Sequence, residues 1–132
     1  MPVVAIHLIE LVARSLVQEG HSLITSGSQG VNAAVIRGVL EVDPSQLTVL
    51  LPQSLDRQAV EIRDLLERVL HLVEKPEQDE LPLPIASSLC NQEIISRCDQ
   101  LICLAFHDSE TLLASARTAE DMGKVVSLLY VD

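Results

Sequence analysis

Apolar residues at Ile6, Ile9, Leu11, Val12, Leu16 and Val17 recur at helical spacing, and Gly20 stands where a C-terminal cap would close that helix. The segment SLITS reads as a short strand, and Asn32 to Val42 as a helix with Ala33, Val35, Ile36, Val39 and Leu40 facing inward. DPSQ interrupts the chain before LTVLLP, a continuous apolar run of the kind a buried parallel strand shows. Ser54 or Asp56 is placed to cap the next helix, whose inner positions would be Val60, Leu65, Leu66 and Val69. VLHLVE predicts a third strand, and KPEQDELPLP a polar, proline-bearing loop. A helix through Ile85, Leu89, Ile94 and Ile95 precedes the strand LICLAF. A last helix, Ser109 to Met122, is closed by Gly123 and followed by the strand VVSLLYV.

Strands alternating with helices, several apolar on both faces, predict an α/β fold: a Rossmann-like three-layer sandwich with a mainly parallel sheet covered by helices. Such domains normally open with a strand that becomes central. PVVAI is β-branched enough for that role, but no turn separates it from the helix, so it is read as the helix start. The sheet would then lack its N-terminal central strand. The 132 residues suffice for a single domain over 1–132.

Ligands of open α/β sheets bind beyond the carboxyl ends of the strands. That rim is expected to hold Ser26 to Asn32, Gln53 to Arg57, Lys75, and His107 to Thr111. Its most informative stretch is the bend SGSQG between strand and helix. Two readings of it stand side by side. As an anion site it would use the N–H groups of Ser28 to Asn32, the hydroxyls of Ser26 and Ser28, and the amide of Gln29. As a tight turn it would need Gly27 and Gly30 for positive φ, with Asn32 capping the helix. The bend matches neither the dinucleotide fingerprint nor the triphosphate loop.

Charge narrows the partners. The net charge is −10, so nucleic acid is repelled at long range. With one Phe, one Tyr and no Trp the chain lacks base-stacking platforms. Arg57, Arg63, Arg68 and Lys75 alternate with Asp56, Glu61, Asp64, Glu67 and Glu74, which reads as a salt-bridged, solvated face. His7, His21, His71 and His107 have no second ligand at metal spacing, so no metal or other cofactor is expected. His107 with Asp108 is an acid–base candidate that equally reads as a loop start and cap. Cys90, Cys98 and Cys103 read as reduced thiols, the first two in a helix and the third in a strand. No apolar run is long enough to span a membrane and no leader is apparent, so a cytoplasmic protein is expected.

EGHSLITSGSQGVNAAVIRGVLE, LTVLLPQSLDRQ and the stretch from LCNQEIISRCDQ to VVSLLYVD together resemble the Rossmann-like domain of the DNA-processing protein A (DprA/Smf) family. The short cyanobacterial forms are most similar, and the wider superfamily includes the LOG enzymes. Ser26, Gly27, Gly30 and Val31 fit the family pattern. Gln29 stands in place of its arginine and Asn32 in place of its aspartate. The Arg-Asn-Arg helix entry is met only at Asn91, between Cys90 and Gln92, and a later Ser/Thr stretch is echoed by Ser109 and Thr111.

The resemblance implies a recombination mediator acting in DNA uptake, binding single-stranded DNA or a nucleotide through phosphates. The implied contacts are Ser26, Gly27, Ser28, Gln29, Gly30 and Asn32, with Gln53, Ser54, Asn91, Ser109 and Thr111 as secondary lining and Arg57 as the nearest cation. Each arginine contact replaced by an uncharged residue would cost about 1.5–3 kcal/mol of binding. The LOG hydrolase signature is absent, so no catalytic role is expected. The resemblance also implies a strand before Met1, hence an N-terminally shortened chain. Two alternatives remain: a small-molecule nucleotide sensor or vestigial LOG-like domain, and a homo-oligomeric subunit whose sheet is completed by self-association.

Overall fold

The computed structural model describes the backbone of residues 3–105 and 110–130 and the side chains of residues 3–102 and 113–127. The chain divides into two compact units, residues 1–90 and 91–132.

The first unit has helix α1 (Val3–Gln18), so Val3 to Ile6 of PVVAI lie in the helix as expected. Gly20, at φ +97°, ends it: the His21 amide donates to the Leu16 carbonyl and the Gly20 amide to that of Val17, the pattern of a left-handed cap. Strand β1 (Leu23–Ser26), helix α2 (Val31–Leu40) and strand β2 (Leu47–Leu50) follow, then helix α3 (Val60–Leu66) and strand β3 (His71–Val73). The strands are parallel in the order β1-β2-β3, with Ser26 opposite Leu50 and Leu50 opposite Val73. This register brings the carboxyl ends of all three strands to one rim.

Alternation and apolar runs produce this order because β2 is the middle strand. Leu47, Val49, Leu50 and the adjoining Leu51 are fully buried, as a run apolar on both faces requires. Ile36, Val39 and Ala33 of α2 pack with Leu47, Val49 and Leu51, and with Ile62, Leu66 and Val69, in one core. Burying a side chain the size of Ile36 or Leu66 contributes about 1.5–3 kcal/mol.

α1 lies along α2 through Ala5, Ile9, Ala13 and Val17, which recur every fourth residue. Two ion pairs flank this seam: Arg37 Nε to Glu10 at 2.7 Å and Arg14 Nη1 to Glu41 at 2.8 Å. Leu11, one of the apolar positions at helical spacing, stays outside this seam. It is 52% exposed, because the i, i+4 row of smaller residues gives α2 the closer approach.

The third helix also differs from its expectation. Ser54 precedes a 3-10 turn at Leu55–Arg57, and α3 starts only after Ala59. Val60 is consequently outside the core, 70% exposed, and Ile62 and Leu66 face inward instead. A second 3-10 turn, Pro44–Gln46, is capped by Asp43, whose carboxylate accepts from the Ser45 amide and hydroxyl. A third, Pro76–Gln78, lies in the polar loop after β3.

Helix α4 (Leu83–Arg97) carries the chain into the second unit. Cys90 is buried in it, with its thiol 3.3 Å from the Leu50 carbonyl. Cys98 falls just past the helix end rather than within it, and Cys103 lies outside the described side chains.

In the second unit, strand β4 (Gln100–Ala105) pairs in parallel with β5 (Val125–Tyr130) across helix α5 (Glu110–Asp121). Gly123 closes α5 with the same hydrogen-bond pattern as Gly20. Among the described residues the five strands thus pair as a three-stranded and a two-stranded parallel sheet. No described helix is long and apolar enough to cross a membrane.

Candidate functional site

The bend between β1 and α2 begins inside the core and ends in solvent. Gly27 is buried, and a Cβ there would collide with the Leu51 side chain and press on both methyl groups of Leu66. Glycine leaves this space to the Leu51 and Leu66 side chains, which a larger residue would have to displace. Gly30 is required for conformation: its φ is +80°, with open space around it. Between them Ser28 and Gln29 are exposed.

Gly30, not Asn32, is the N-cap of α2, and no side chain caps the helix. The capping expectation fails because the Asn32 carboxamide is engaged elsewhere. Its Oδ1 accepts from the hydroxyl of Thr25, itself buried, at 2.6 Å. Among the described residues, the backbone amides of Ser28 to Ala33 donate no hydrogen bond within the protein; the first amide to do so is that of Ala34, to the Gly30 carbonyl. These are the orphan donors of a helix start joined to an exposed turn, carrying the positive end of the helix dipole. They sit at the carboxyl end of β1.

The next stretch of rim is closed. The Gln53 side chain is 6% exposed, and its Nε2 donates to the carbonyls of Gln78 at 3.1 Å and Leu81 at 3.0 Å. The Ser54 amide and hydroxyl both donate to the Asp79 carboxylate, at 2.8 and 2.5 Å, and the Leu55 amide donates to Glu74 at 2.7 Å. The two Ser54 hydrogen bonds, the hydroxyl first, hold the Asp79 carboxyl below its ordinary range, with help from the Arg57 guanidinium. Arg57 itself is exposed.

Two further arginines are engaged. Arg63 donates to the carbonyls of Gln58 and Asp56, and Arg97 pairs with Glu93 at 2.7 Å. Arg68 lies exposed on the polar face expected of its segment.

The first unit therefore brings together Ser26, Gly27, Ser28, Gln29, Gly30, Asn32, Gln53, Ser54 and Arg57 on neighbouring strand ends. Asn91 and Thr111 belong to the second unit, where Asn91 is half-buried on α4 and Thr111 lies in the first turn of α5. Ser109, and the His107–Asp108 pair, lie outside the described residues. Among the described residues no three His, Cys, Asp or Glu side chains are placed to hold a metal ion. The residues that sequence reasoning missed are Glu74 and Asp79. Asp79 was signalled only by the acidic, proline-interrupted loop that carries it, and Glu74 read as part of a salt-bridged, solvated face.

No family model matches this chain. No curated protein matches it either. A solved structure of DNA processing protein A from Helicobacter pylori, described for its single-stranded DNA binding mode, superimposes with a TM-score of 0.77 at 20% identity. The match covers 97% of this chain and 60% of the other, so the chain spans less than two thirds of that protein. At this identity the likeness speaks for the fold, and the resemblance read from the sequence is met at that level: the chain has the Rossmann-like α/β fold found in that DNA processing protein.

Proposed function

We propose that this chain is a non-catalytic, DprA-like DNA-processing protein that holds phosphate groups of single-stranded DNA at the bend of residues 26–32. The observation that carries the reading is the run of undonated amides from Ser28 to Ala33 at the carboxyl end of β1, exposed over Ser28 to Gly30 and left uncapped by Asn32. Consecutive amides at a helix start are an anion-binding arrangement that needs no arginine. In this reading the hydroxyls of Ser26 and Ser28 and the side chain of Gln29 extend it, and Arg57, exposed beyond the neighbouring strand, supplies the cation. The fold likeness to a protein described for single-stranded DNA binding supports the choice of ligand.

A labelled oligothymidylate tests the reading by fluorescence anisotropy. Binding is expected at low ionic strength and weakens as salt rises. An anisotropy that stays flat at the lowest salt overturns it.

A second reading, a nucleotide sensor, is favoured by the engaged cations. Arg14, Arg37 and Arg97 are paired with glutamates and Arg63 with carbonyls, which suits a small phosphate ligand better than a long polyanion. A nucleotide panel that raises the melting temperature where the oligonucleotide does not would select this reading.

A further inference from the structure

The rim that carries the exposed bend also carries a second set of donors, and the chain's own carboxylates fill it. Ser54 N–H, Ser54 O–H and Leu55 N–H sit on consecutive residues, just beyond the carboxyl end of β2. Donors on consecutive residues at a strand's carboxyl end are of the kind that bind phosphate oxygens. They meet Asp79 and Glu74 instead, which reach them from the loop after β3. Carboxylate and phosphate oxygens accept charge-assisted hydrogen bonds in the same way, so each can stand in for the other.

We infer that the segment 74–81 is a built-in competitor: Glu74 and Asp79 occupy the donors of Ser54 and Leu55 that a ligand phosphate would take. The inference rests on the reading of this rim as phosphate-facing.

The attachment of the segment has two tiers, and their difference supports the assignment. The inner tier is neutral, made by the carboxamide of the buried Gln53 on the Gln78 and Leu81 carbonyls and by the Lys75 amide on the Gln53 carbonyl at 3.3 Å. The outer tier is charged and reaches solvent, with Glu74 exposed and Asp79 half-buried. A tether alone needs only the inner tier. The outer tier adds two negative charges where phosphate would arrive, and it can open while Gln53 keeps the segment in place.

The full chain, labelled with 15N, is titrated with inorganic pyrophosphate while the amide signals of Ser54, Leu55 and residues 28–33 are followed. In Glu74→Ala/Asp79→Ala, the Ser54 and Leu55 signals are expected to move with a half-saturation at least about tenfold lower than in the parent chain. Glu74→Gln/Asp79→Asn keeps the shape and removes the charge. It should shift half-saturation the same way by a smaller factor, and it decides the matter if the alanine variant does not fold. Unmoved Ser54 and Leu55 signals, or an unchanged half-saturation, overturn the inference.

The two readings fail separately. Movement at 28–33 with Ser54 and Leu55 still leaves the bend proposal standing and sinks the competitor. Movement at Ser54 and Leu55 alone does the reverse, and silence at both sets sinks both.

Discussion

Gly38 lies so close beneath the carbonyl oxygen of Glu10 that a Cβ on it would stand 2.6 Å from that oxygen and 3.1 Å from the Cβ of Ala13. The obstacle is backbone, which cannot rotate away, so α1 must lift off α2 to admit a methyl group. Gly38→Ala should lower stability by about 1–3 kcal/mol despite the better helix propensity of alanine. Thermal unfolding followed by circular dichroism measures it, and an unchanged or raised midpoint would show that the seam yields more easily than its geometry implies.

Gly30 and Gly20 share a positive φ and open surroundings but differ in what lies beside them. Alanine at either position should cost about 1–2 kcal/mol of stability. Only Gly30→Ala is expected to weaken oligonucleotide or nucleotide binding as well, because it reshapes the run of amides. Equal binding by the two variants would detach the bend from the ligand.

Acid should loosen the rim through Asp79 and the Pro44–Gln46 turn through Asp43. Both carboxyls are held below their ordinary 3.8, Asp79 by Ser54 and Asp43 by Ser45. A depressed folded-state value favours the fold above the unfolded pKa, and that contribution disappears as pH falls through the folded value. Amide signals of Ser54 and Ser45 should therefore hold steady down to about pH 4 and move below it. Asp79→Asn should abolish the movement at Ser54 and leave that at Ser45.

Thiol labelling separates two cysteines. Cys98 is partly accessible and Cys90 is buried against the Leu50 carbonyl. Cys98 should react with a thiol reagent in the native state, and Cys90 only on a timescale set by local opening. Peptide mapping after timed labelling reads the order, and faster modification of Cys90 would contradict its burial.

Core substitutions should rank by burial rather than by hydrophobic periodicity. Ile36→Ala removes a fully buried side chain and should cost about 2–5 kcal/mol. Val60→Ala, at the exposed start of α3, should fall within about 0.5 kcal/mol of the parent chain. Denaturant melts of both variants test the ranking.

Periodicity made most of this fold legible because the strongest local signals agree with the packing. LTVLLP reads as a buried strand and its Leu47–Leu50 portion is one, while Gly20 and Gly123 close helices as their positions imply. Legibility fails where several local solutions compete. Ser54 and Asp56 are both credible helix caps, yet the chain makes a 3-10 turn there because Asp79 and Glu74 take up the amides of Ser54 and Leu55. That choice is made by residues about twenty positions away, and no local pattern carries it. Asn32 fails as a cap for a related reason, since a buried threonine in the preceding strand claims its side chain. The bend itself was visible through its glycines, though their separate reasons, crowding at Gly27 and chain direction at Gly30, were not.

The two ion pairs between α1 and α2 are reciprocal: each side of the seam supplies one arginine and one glutamate, and Glu10–Arg37 is followed four residues on by Arg14–Glu41. Turned end for end, α1 would bring glutamate against glutamate and arginine against arginine. Pairs this exposed add little adhesion, about 0–1 kcal/mol each. What they supply is polarity, a charge code that accepts α1 in one sense and rejects it in the other.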